Sequence, residues 1–281
     1  MPDGESLSAD EAFRLLGEAM RLGILRTVWE AGGPISFTAI RERMGTPDSG
    51  RFNYHIGKLR GQFLTDGEDG YQLTQAGREV IRAVMAGTVT DAPSFAPTAI
   101  DADCTECGGA LQISYDGHGV IDCGSCGSTV MWNEFPPAGL AGRTPDDVAA
   151  AFDRWTQSRF RLAMDGICPS CAAPMTTSLL DDDPADLASH HRCPNCKYEA
   201  RVPLFGHVLF HPSVIALFDH AGIDITRLPY WELRGIATGI DETVSSEEPW
   251  RAMITIYAGD RRLQFTLDES LAVIETDQSD P

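Results

Sequence analysis

The chain has 281 residues, of which 43% are hydrophobic, so it contains enough apolar material for several folded modules. Its net charge is −19, because 41 acids outweigh 22 bases, and only Lys58 and Lys197 among those bases are lysines. Such acidity argues against nucleic-acid binding by the chain as a whole, and no apolar run of about 18 residues predicts a membrane span.

The charge is unevenly distributed along the chain. Residues 1–90 contain 12 acids and 10 bases, whereas the rest of the chain contains 29 acids and 12 bases. The N-terminal part is therefore nearly neutral and compatible with DNA, while the remainder is strongly acidic. An acidic surface with almost no lysine also fits a halophilic protein, kept soluble in a high-salt cytoplasm.

The first residues, Met1 to Glu5, are acidic and lack the apolar segment of a signal peptide, so we expect a cytoplasmic protein. In a reducing cytosol, paired cysteines are metal ligands before they are disulfides.

Residues 1–90 are predicted to form a winged helix-turn-helix DNA-binding domain. Ser8 and Glu11 form a capping-box pattern that begins the first helix. Asp-Gly turns between short apolar runs predict a hairpin at residues 63–74. The helix before it would be the recognition helix and the hairpin would be the wing. Apolar spacing predicts the further helices at residues 19–31, 37–44, 49–62 and 75–87.

The predicted recognition helix combines an apolar face with a polar face that contains no acid. Phe52, Ile56 and Leu59 have the spacing of a buried face. Arg can read guanine, Asn can read adenine, and Ser, Tyr and Lys can hold phosphate. The alternative interpretation is a solvated helix face without a partner. The candidate DNA contacts are Ser49, Arg51, Asn53, Tyr54, His55, Lys58 and Arg60.

Residues 12–87 resemble the ArsR-type winged-helix proteins that are abundant in halophilic archaea. The string Phe-Asn-Tyr-His-x-x-Lys-Leu at residues 52–59 is a specific part of that resemblance. The resemblance implies a DNA-binding transcriptional regulator, usually a homodimer through its first and last helices. ArsR metal sensors place a Cys-x-Cys near the recognition helix, but residues 1–90 contain no cysteine, so metal sensing there is not implied. The matching stretches are residues 19–25, 35–37, 48–59 and 70–77.

All eight cysteines lie in four Cys-x-x-Cys pairs, which predict two zinc ribbons. Fifteen residues separate the first two pairs and 21 residues separate the last two. Four thiolates complete a tetrahedron and leave no position for water, so we expect two structural Zn²⁺ ions. The expected ligands are Cys104, Cys107, Cys123 and Cys126 in the first site, and Cys168, Cys171, Cys193 and Cys196 in the second.

Other interpretations of these segments compete with structural zinc. Cys-x-x-Cys pairs also occur in redox proteins, but four pairs in ribbon order and no thioredoxin-like setting disfavour that chemistry. His190 or His191 in the longer second spacer could replace one cysteine ligand. We interpret His118 and the acidic run Asp181–Asp183 as solvated loops.

The rest of the chain is predicted to be accessory structure. Residues 88–100 have the composition of a linker, and a helix from about 144 to 165 would brace the two ribbons. The tail is predicted to contain a helix and a small sheet, with Trp231 and Trp250 in the core or, alternatively, on a partner surface. The predicted tail elements are a helix at 212–221 and strands at 231–241, 250–257 and 261–267.

The predicted fold class is therefore α+β and multidomain. The predicted domains are residues 1–90 (winged helix-turn-helix), 98–135 (first zinc ribbon), 136–165 (linking helix), 166–206 (second zinc ribbon) and 207–281 (a helix with an antiparallel sheet).

We find no motif of an enzyme active site and expect a DNA-binding transcriptional regulator. Its expected partners are double-stranded DNA and a second copy of the chain, with no membrane. The alternative is an adaptor that contacts the basal transcription machinery without reading sequence. A winged helix joined to a zinc ribbon resembles archaeal transcription factor E, which contacts polymerase.

Overall fold

The computed structural model describes residues 7–180, 187–237, 239–259 and 261–279. These residues form a mixed α+β structure with several antiparallel sheets. The chain divides into two compact units, the first comprising Met1–Ala92 with Pro136–Ala138 and the second comprising Pro93–Phe135 with Gly139–Pro281. Over the described ranges, none of the helices is both long and apolar enough to cross a bilayer.

The first unit consists of helices and one hairpin. The capping box of Ser8 and Glu11 is confirmed, and the predicted hairpin is confirmed by the antiparallel pairing of its two strands. Ile35 adds a further antiparallel bridge to Tyr71 of the hairpin. The elements of this unit are α1 (Ala9–Leu16), α2 (Ala19–Glu30), α3 (Phe37–Arg43), α4 (Ser49–Leu59), β1 (Leu64–Gly67), β2 (Gly70–Leu73) and α5 (Gln75–Met85).

The core of the first unit lies between α2, α4 and the hairpin. Phe52, Ile56 and Leu59 are fully buried there, as their spacing predicts. The predicted end of this helix at residue 62 is wrong, because Arg60 is already extended (φ −61°, ψ 144°). Gly61 then adopts a φ of 84°, which turns the chain into the hairpin and is favourable only for glycine.

The second unit contains three antiparallel sheets with helices packed around them. Between the first two cysteine pairs, Leu111 to Cys123 forms the antiparallel pair β4–β5 of the first sheet. The first sheet contains β3 (Ser94–Asp103), β4 (Ala110–Asp116), β5 (Gly119–Cys123) and β6 (Thr129–Asn133), and the second contains β7 (Thr176–Leu180), β8 (Ala188–Arg192) and β9 (Glu199–Pro203).

The C-terminal part of this unit forms a separate core. Its helices and strands are α7 (Gly206–Leu209), α8 (Pro212–His220), α9 (Tyr230–Ala237), β10 (Ile240–Glu247), β11 (Trp250–Ala258), β12 (Arg261–Asp268) and β13 (Val273–Ser279). The strands predicted at 250–257 and 261–267 are confirmed as β11 and β12, and Ile254 and Ile256 on β11 are buried opposite Phe265 and Leu263 on β12. Met253 lies outside that core.

Residues 88–100 do not all form the predicted linker. From Ser94 onward the chain forms β3, which pairs with β4 and buries Ile100. The polar composition and Pro97 are typical of a linker, which is why the strand was not predicted. Pro97 is tolerated because β3 is an edge strand with a bulge between Phe95 and Thr98, where a residue needs no N–H donor.

The prediction of a strand at residues 231–241 is also wrong. Tyr230–Ala237 forms α9, whose Leu233 is buried in the C-terminal core, and the strand begins only at Ile240. A short apolar segment is compatible with either a helix or a strand, and here tertiary packing favours the helix.

The strand β13 was not predicted, because an exposed edge strand does not need the apolar alternation by which strands are recognised in a sequence. Trp231 and Trp250 are both partly buried against cores.

The predicted linking helix is α6 (Pro145–Met164), and it packs against the first two sheets. Val148 and Phe152 in its first half belong to the core of the first sheet. Ala163 and Phe160 in its second half pack with the cysteine pairs beside the second sheet. Its length of 20 residues, about 30 Å, allows one rigid element to reach both cores.

Candidate metal centres and the exposed face of α4

Each of the four Cys-x-x-Cys pairs lies in the same tight turn. The backbone N–H four residues after the first cysteine donates to that cysteine's carbonyl, at 2.8–3.1 Å in all four turns. The N–H of the first cysteine in turn donates to the carbonyl five residues later, at 2.7–2.9 Å. Both cysteine side chains of a pair are thereby held on one side of the turn.

The residue after each second cysteine has a left-handed backbone. Gly108 (φ 70°) and Gly127 (φ 75°) occupy this position in the first cluster, and Ala172 (φ 58°) and Lys197 (φ 66°) occupy it in the second. Glycine accepts this conformation without strain, whereas a residue with a Cβ does not. The two glycines indicate the left-handed backbone in the sequence, whereas Ala172 and Lys197 do not indicate it.

The turns bring the eight cysteines together in two separate clusters of four. The sulfur atoms within each cluster all lie within 4.8 Å of one another, and the contacting pairs are 3.4–3.8 Å apart. A tetrahedral ion with metal–sulfur bonds of about 2.3 Å requires sulfur–sulfur distances of about 3.8 Å. The two clusters are therefore compatible with two metal ions, and no disulfide joins the eight thiols.

Hydrogen bonds to sulfur favour the thiolate form of one cysteine in each cluster. The backbone N–H groups of Cys126 and Ser125 point at the sulfur of Cys123 and lower its pKa to about 6. The side-chain amide of Asn195 lies 3.5 Å from the sulfur of Cys171, whose pKa is also lowered to about 6. Metal ligation requires deprotonated sulfur, so these donors favour binding of a cation.

Arg159 on α6 ties the second cluster to the first sheet. Its Nη2 donates to Ser170 inside the Cys168–Cys171 turn at 2.7 Å and to Glu134 after the first sheet at 3.1 Å. The guanidinium also lies over the ring of Tyr198, 4.6 Å from its centroid. The sequence did not single out Arg159, because an arginine on a helix is usually exposed.

The histidines of the second spacer do not belong to the cysteine cluster. His191 is buried, with Nδ1 2.9 Å from the hydroxyl of Thr177 and Nε2 2.8 Å from that of Ser189. The same serine lies 2.8 Å from Nε2 of His207 on α7. Burial lowers the pKa of both His191 and His207 to about 4, so this network is neutral at physiological pH.

The remaining polar residues of the spacers lie elsewhere. His190 contacts Glu199 at 3.3 Å on the neighbouring strand. His118, predicted to be solvated, is half-buried with its ring 5.2 Å from that of Trp132. The run Asp181–Asp183 lies outside the described residues.

The candidate DNA contacts on α4 divide between two faces. His55 is only 6% exposed, because its Nδ1 accepts from Nε of buried Arg21 at 3.3 Å. Arg21 also donates to the carbonyls of Arg14 and Leu15 at the end of α1. His55 therefore lies on the inner side of α4. The exposed candidates are Ser49, Arg51, Asn53, Tyr54, Lys58 and Arg60.

Local contacts already involve some of these exposed groups. Arg60 forms an ion pair with Asp66 at the start of the hairpin. The Nζ of Lys58 lies 5.6 Å from the ring centroid of Tyr54. Asp48 accepts from the N–H of Arg51 at 3.0 Å and thereby caps the N-terminus of α4. The side chains of Arg51 and Asn53 form no described hydrogen bond and point to solvent.

Two family models match this chain, and no curated protein or solved structure does. Residues 9–84 match the family described as "Domain of unknown function (DUF7347)". Residues 101–273, which include both cysteine clusters, match the family described as "Domain of unknown function (DUF7351)". This second match covers more than half of the chain, so the chain belongs to the DUF7351 family.

Proposed function

We propose that this chain is an ArsR-like DNA-binding transcriptional regulator that places α4 in the major groove and uses the β1–β2 hairpin as a wing. The observation that carries the proposal is the outer face of α4. It presents arginine, asparagine, serine, tyrosine and lysine side chains to solvent, and residues 49–62 contain no acid although the chain carries a net charge of −19. These residue types read base edges and hold phosphates in DNA complexes.

The arrangement of the first unit supports this proposal. A short turn at Met44–Asp48 joins α3 to α4, and the hairpin follows α4 directly, which is the element order of a winged helix-turn-helix. His55 is buried, so we assign it no base contact. Its hydrogen bond to Arg21 instead positions α4 against α2.

The two cysteine clusters are proposed to hold structural Zn²⁺. Four thiolates satisfy a tetrahedral ion completely and leave no open position for a substrate or water, as in zinc ribbons. The support is the sulfur–sulfur spacing of 3.4–3.8 Å together with the repeated turns. Zinc in these sites would stabilise the second unit without taking part in a reaction.

A homodimer through α1 and the end of α5 is also proposed. α1 has no fully buried residue, and its Phe13 is 74% exposed. Met85 at the end of α5 and Val89, four residues further on, are exposed as well. Exposed apolar side chains of this size are characteristic of an interface when they form a patch.

The test is genome-wide DNA occupancy in the native host, comparing the tagged wild-type protein with an Arg51→Ala/Asn53→Ala double variant. A matched control is Arg26→Ala, which removes an exposed arginine on α2. We expect discrete sites that disappear in the double variant and persist in the control. Broad promoter occupancy that follows polymerase and is unchanged in the double variant would contradict the proposal. That outcome would support the adaptor function instead.

A further inference from the structure

A cavity of about 330 Å³ opens in the first unit between α2, β2 and α5. Val28 and Leu73 form an apolar wall, and both are buried in the core of the unit. The indole of Trp29 lines the same space and is only partly covered by the core. A cavity of this volume with an apolar wall accommodates a small organic molecule.

Arg78 gives this cavity a positive charge that none of the described carboxylates neutralises. Its Nη1 donates to the carbonyl of Leu73 at 2.8 Å, and its Nε and Nη2 lie 3.4 and 3.3 Å from Oε1 of Gln75. The nearest acid in sequence, Glu79, pairs instead with Arg82 at 2.6 Å. Among the described residues, no ion pair joins Arg78 to an acid. A half-buried guanidinium with only neutral partners keeps the capacity to bind an anion.

Gly32 and Gly33 form an open side of the cavity. A Cβ placed on either glycine would meet no atom within 4 Å. Gly32 has a φ of 69° and depends on being glycine, whereas Gly33 has an ordinary backbone and can accept a side chain. A larger residue at Gly33 would therefore be tolerated by the fold and would add bulk at the lining of the cavity.

We propose that this cavity binds a small carboxylate with a flat apolar body. Arg78 would bind the carboxylate through its guanidinium, and Trp29, Val28 and Leu73 would contact the apolar body. Gln72 on β2 supplies a further polar group at the rim. This inference does not depend on the proposed DNA binding, because the site and its test involve the ligand alone.

The test uses the full-length, metal-loaded chain and three probes: benzoate, phenylacetate and indole-3-acetate, each compared with its uncharged amide. The ¹H–¹⁵N signal of the Trp29 indole, assigned with Trp29→Phe, reports occupancy. We expect at least one acid to shift this signal saturably and its amide to bind at least about tenfold more weakly, since a hydrogen bond to a charged group is lost. If no acid shifts the signal up to about 10 mM, or if acid and amide bind equally, the proposal is overturned.

Three variants separate the site from the fold. Arg78→Gln should weaken binding of the acid at least about tenfold, and Arg82→Gln, one turn further along α5, should leave it unchanged. Since Arg78 also binds a backbone carbonyl, Gly33→Leu provides a second variant that adds bulk at the lining of the cavity and keeps the guanidinium. Gly33→Leu should abolish the ligand-induced shift of the Trp29 indole signal. Binding that survives both Arg78→Gln and Gly33→Leu would place the ligand elsewhere and contradict the inference.

Discussion

At the scale of single residues, the two clusters differ in the residue that follows each cysteine pair. The same left-handed position is occupied by glycine in the first cluster and by Ala172 and Lys197 in the second. A left-handed residue with a Cβ is disfavoured by about 1–2 kcal/mol, so the second cluster contains strain that the first lacks. The neighbouring Asn195 side chain and the contact between Arg159 and Ser170 hold the second cluster in place despite that strain.

We expect Ala172→Gly to raise the free energy of unfolding of the second unit by up to about 1 kcal/mol, because the strain is relieved. Gly108→Ala should lower it by at least about as much, since a Cβ at Gly108 meets no neighbour and the effect is purely conformational. Denaturant unfolding of the metal-loaded protein measures both. The control is Ala173→Gly, at a position without a positive φ, which should destabilise. Equal effects at 172 and 173 would contradict the argument.

Specific DNA binding should depend on two individual side chains of α4. Arg51→Ala or Asn53→Ala should each weaken binding to a cognate site by about 1–3 kcal/mol, because each would remove one of the proposed base contacts. In a salty cytoplasm counterion release contributes little, so these contacts would carry much of the affinity. Fluorescence anisotropy with a site identified by occupancy measures the loss, and Arg26→Ala should bind like the wild type. Unchanged binding by either variant would show that α4 is not the recognition helix.

The stability of the second unit should fall in mildly acidic solution because of His207. Burial lowers its pKa from an ordinary 6.5 to about 4, so the unfolded chain takes up a proton in this window that the folded chain does not. The stability that depends on neutral His207 is fully present above about pH 6.5 and is lost as the pH falls towards 4. Denaturant midpoints between pH 7 and 4.5, with metal content measured at each pH, should fall less steeply for His207→Gln. The exposed His220→Gln is the control, and an unchanged slope for His207→Gln would argue against this role.

At the scale of elements, α1 and α6 have contrasting roles. α6 buries one continuous stripe along its length, and its two halves pack with two different cores of the second unit. α1 is amphipathic but buries none of its residues fully, so much of its apolar face lacks a partner within its unit. Helices of eight residues are only marginally stable alone, and a partner surface would stabilise this one.

We expect Phe13→Asp to convert a dimer into a monomer, because it places a charge on the exposed apolar face of α1. Light scattering coupled to gel filtration measures the mass. Ile274→Asp on β13 replaces another exposed apolar residue and should leave the mass unchanged. A wild-type monomer, or a dimer that persists in Phe13→Asp, would exclude α1 from the interface.

At the scale of the whole molecule, the two units differ in whether candidate metal ligands belong to their cores. The first unit has a core without cysteine, whereas four buried cysteines belong to the cores of the second unit. Metal ligands that also pack in a core couple binding to folding. Residues 91–281 carry 29 acids and 12 bases, a charge that repels phosphates.

Purified protein should therefore contain about two zinc ions per chain, measured by elemental analysis. Strong chelation should unfold the region of residues 100–200, seen as loss of its amide signals, and should spare those of the first unit. Cys104→Ser/Cys107→Ser should reduce the content to about one ion, and Cys168→Ser/Cys171→Ser should do the same. A metal-free chain whose residues 100–200 stay folded would contradict a structural role.

The sequence by itself determined the features that depend on neighbouring residues. The capping box at Ser8, the hairpin after α4 and the four Cys-x-x-Cys turns are local patterns, and all of them appear in the structure. The inward face of α4 was also predictable, because apolar residues at helical spacing must be buried together.

Tertiary structure decided the features that depend on distant partners. His55 lies three residues after Phe52 and four before Leu59, so helical spacing already places it on the buried face of α4. Only the tertiary structure shows its partner, Arg21, which lies 34 residues earlier and donates to its ring. Ser94–Asp103 is a strand because β4 pairs with it, and Tyr230–Ala237 is a helix because Leu233 packs into a core made by other segments. Strand pairing and packing between distant segments depend on contacts that close long loops, and these contacts cannot be predicted from a local stretch of sequence.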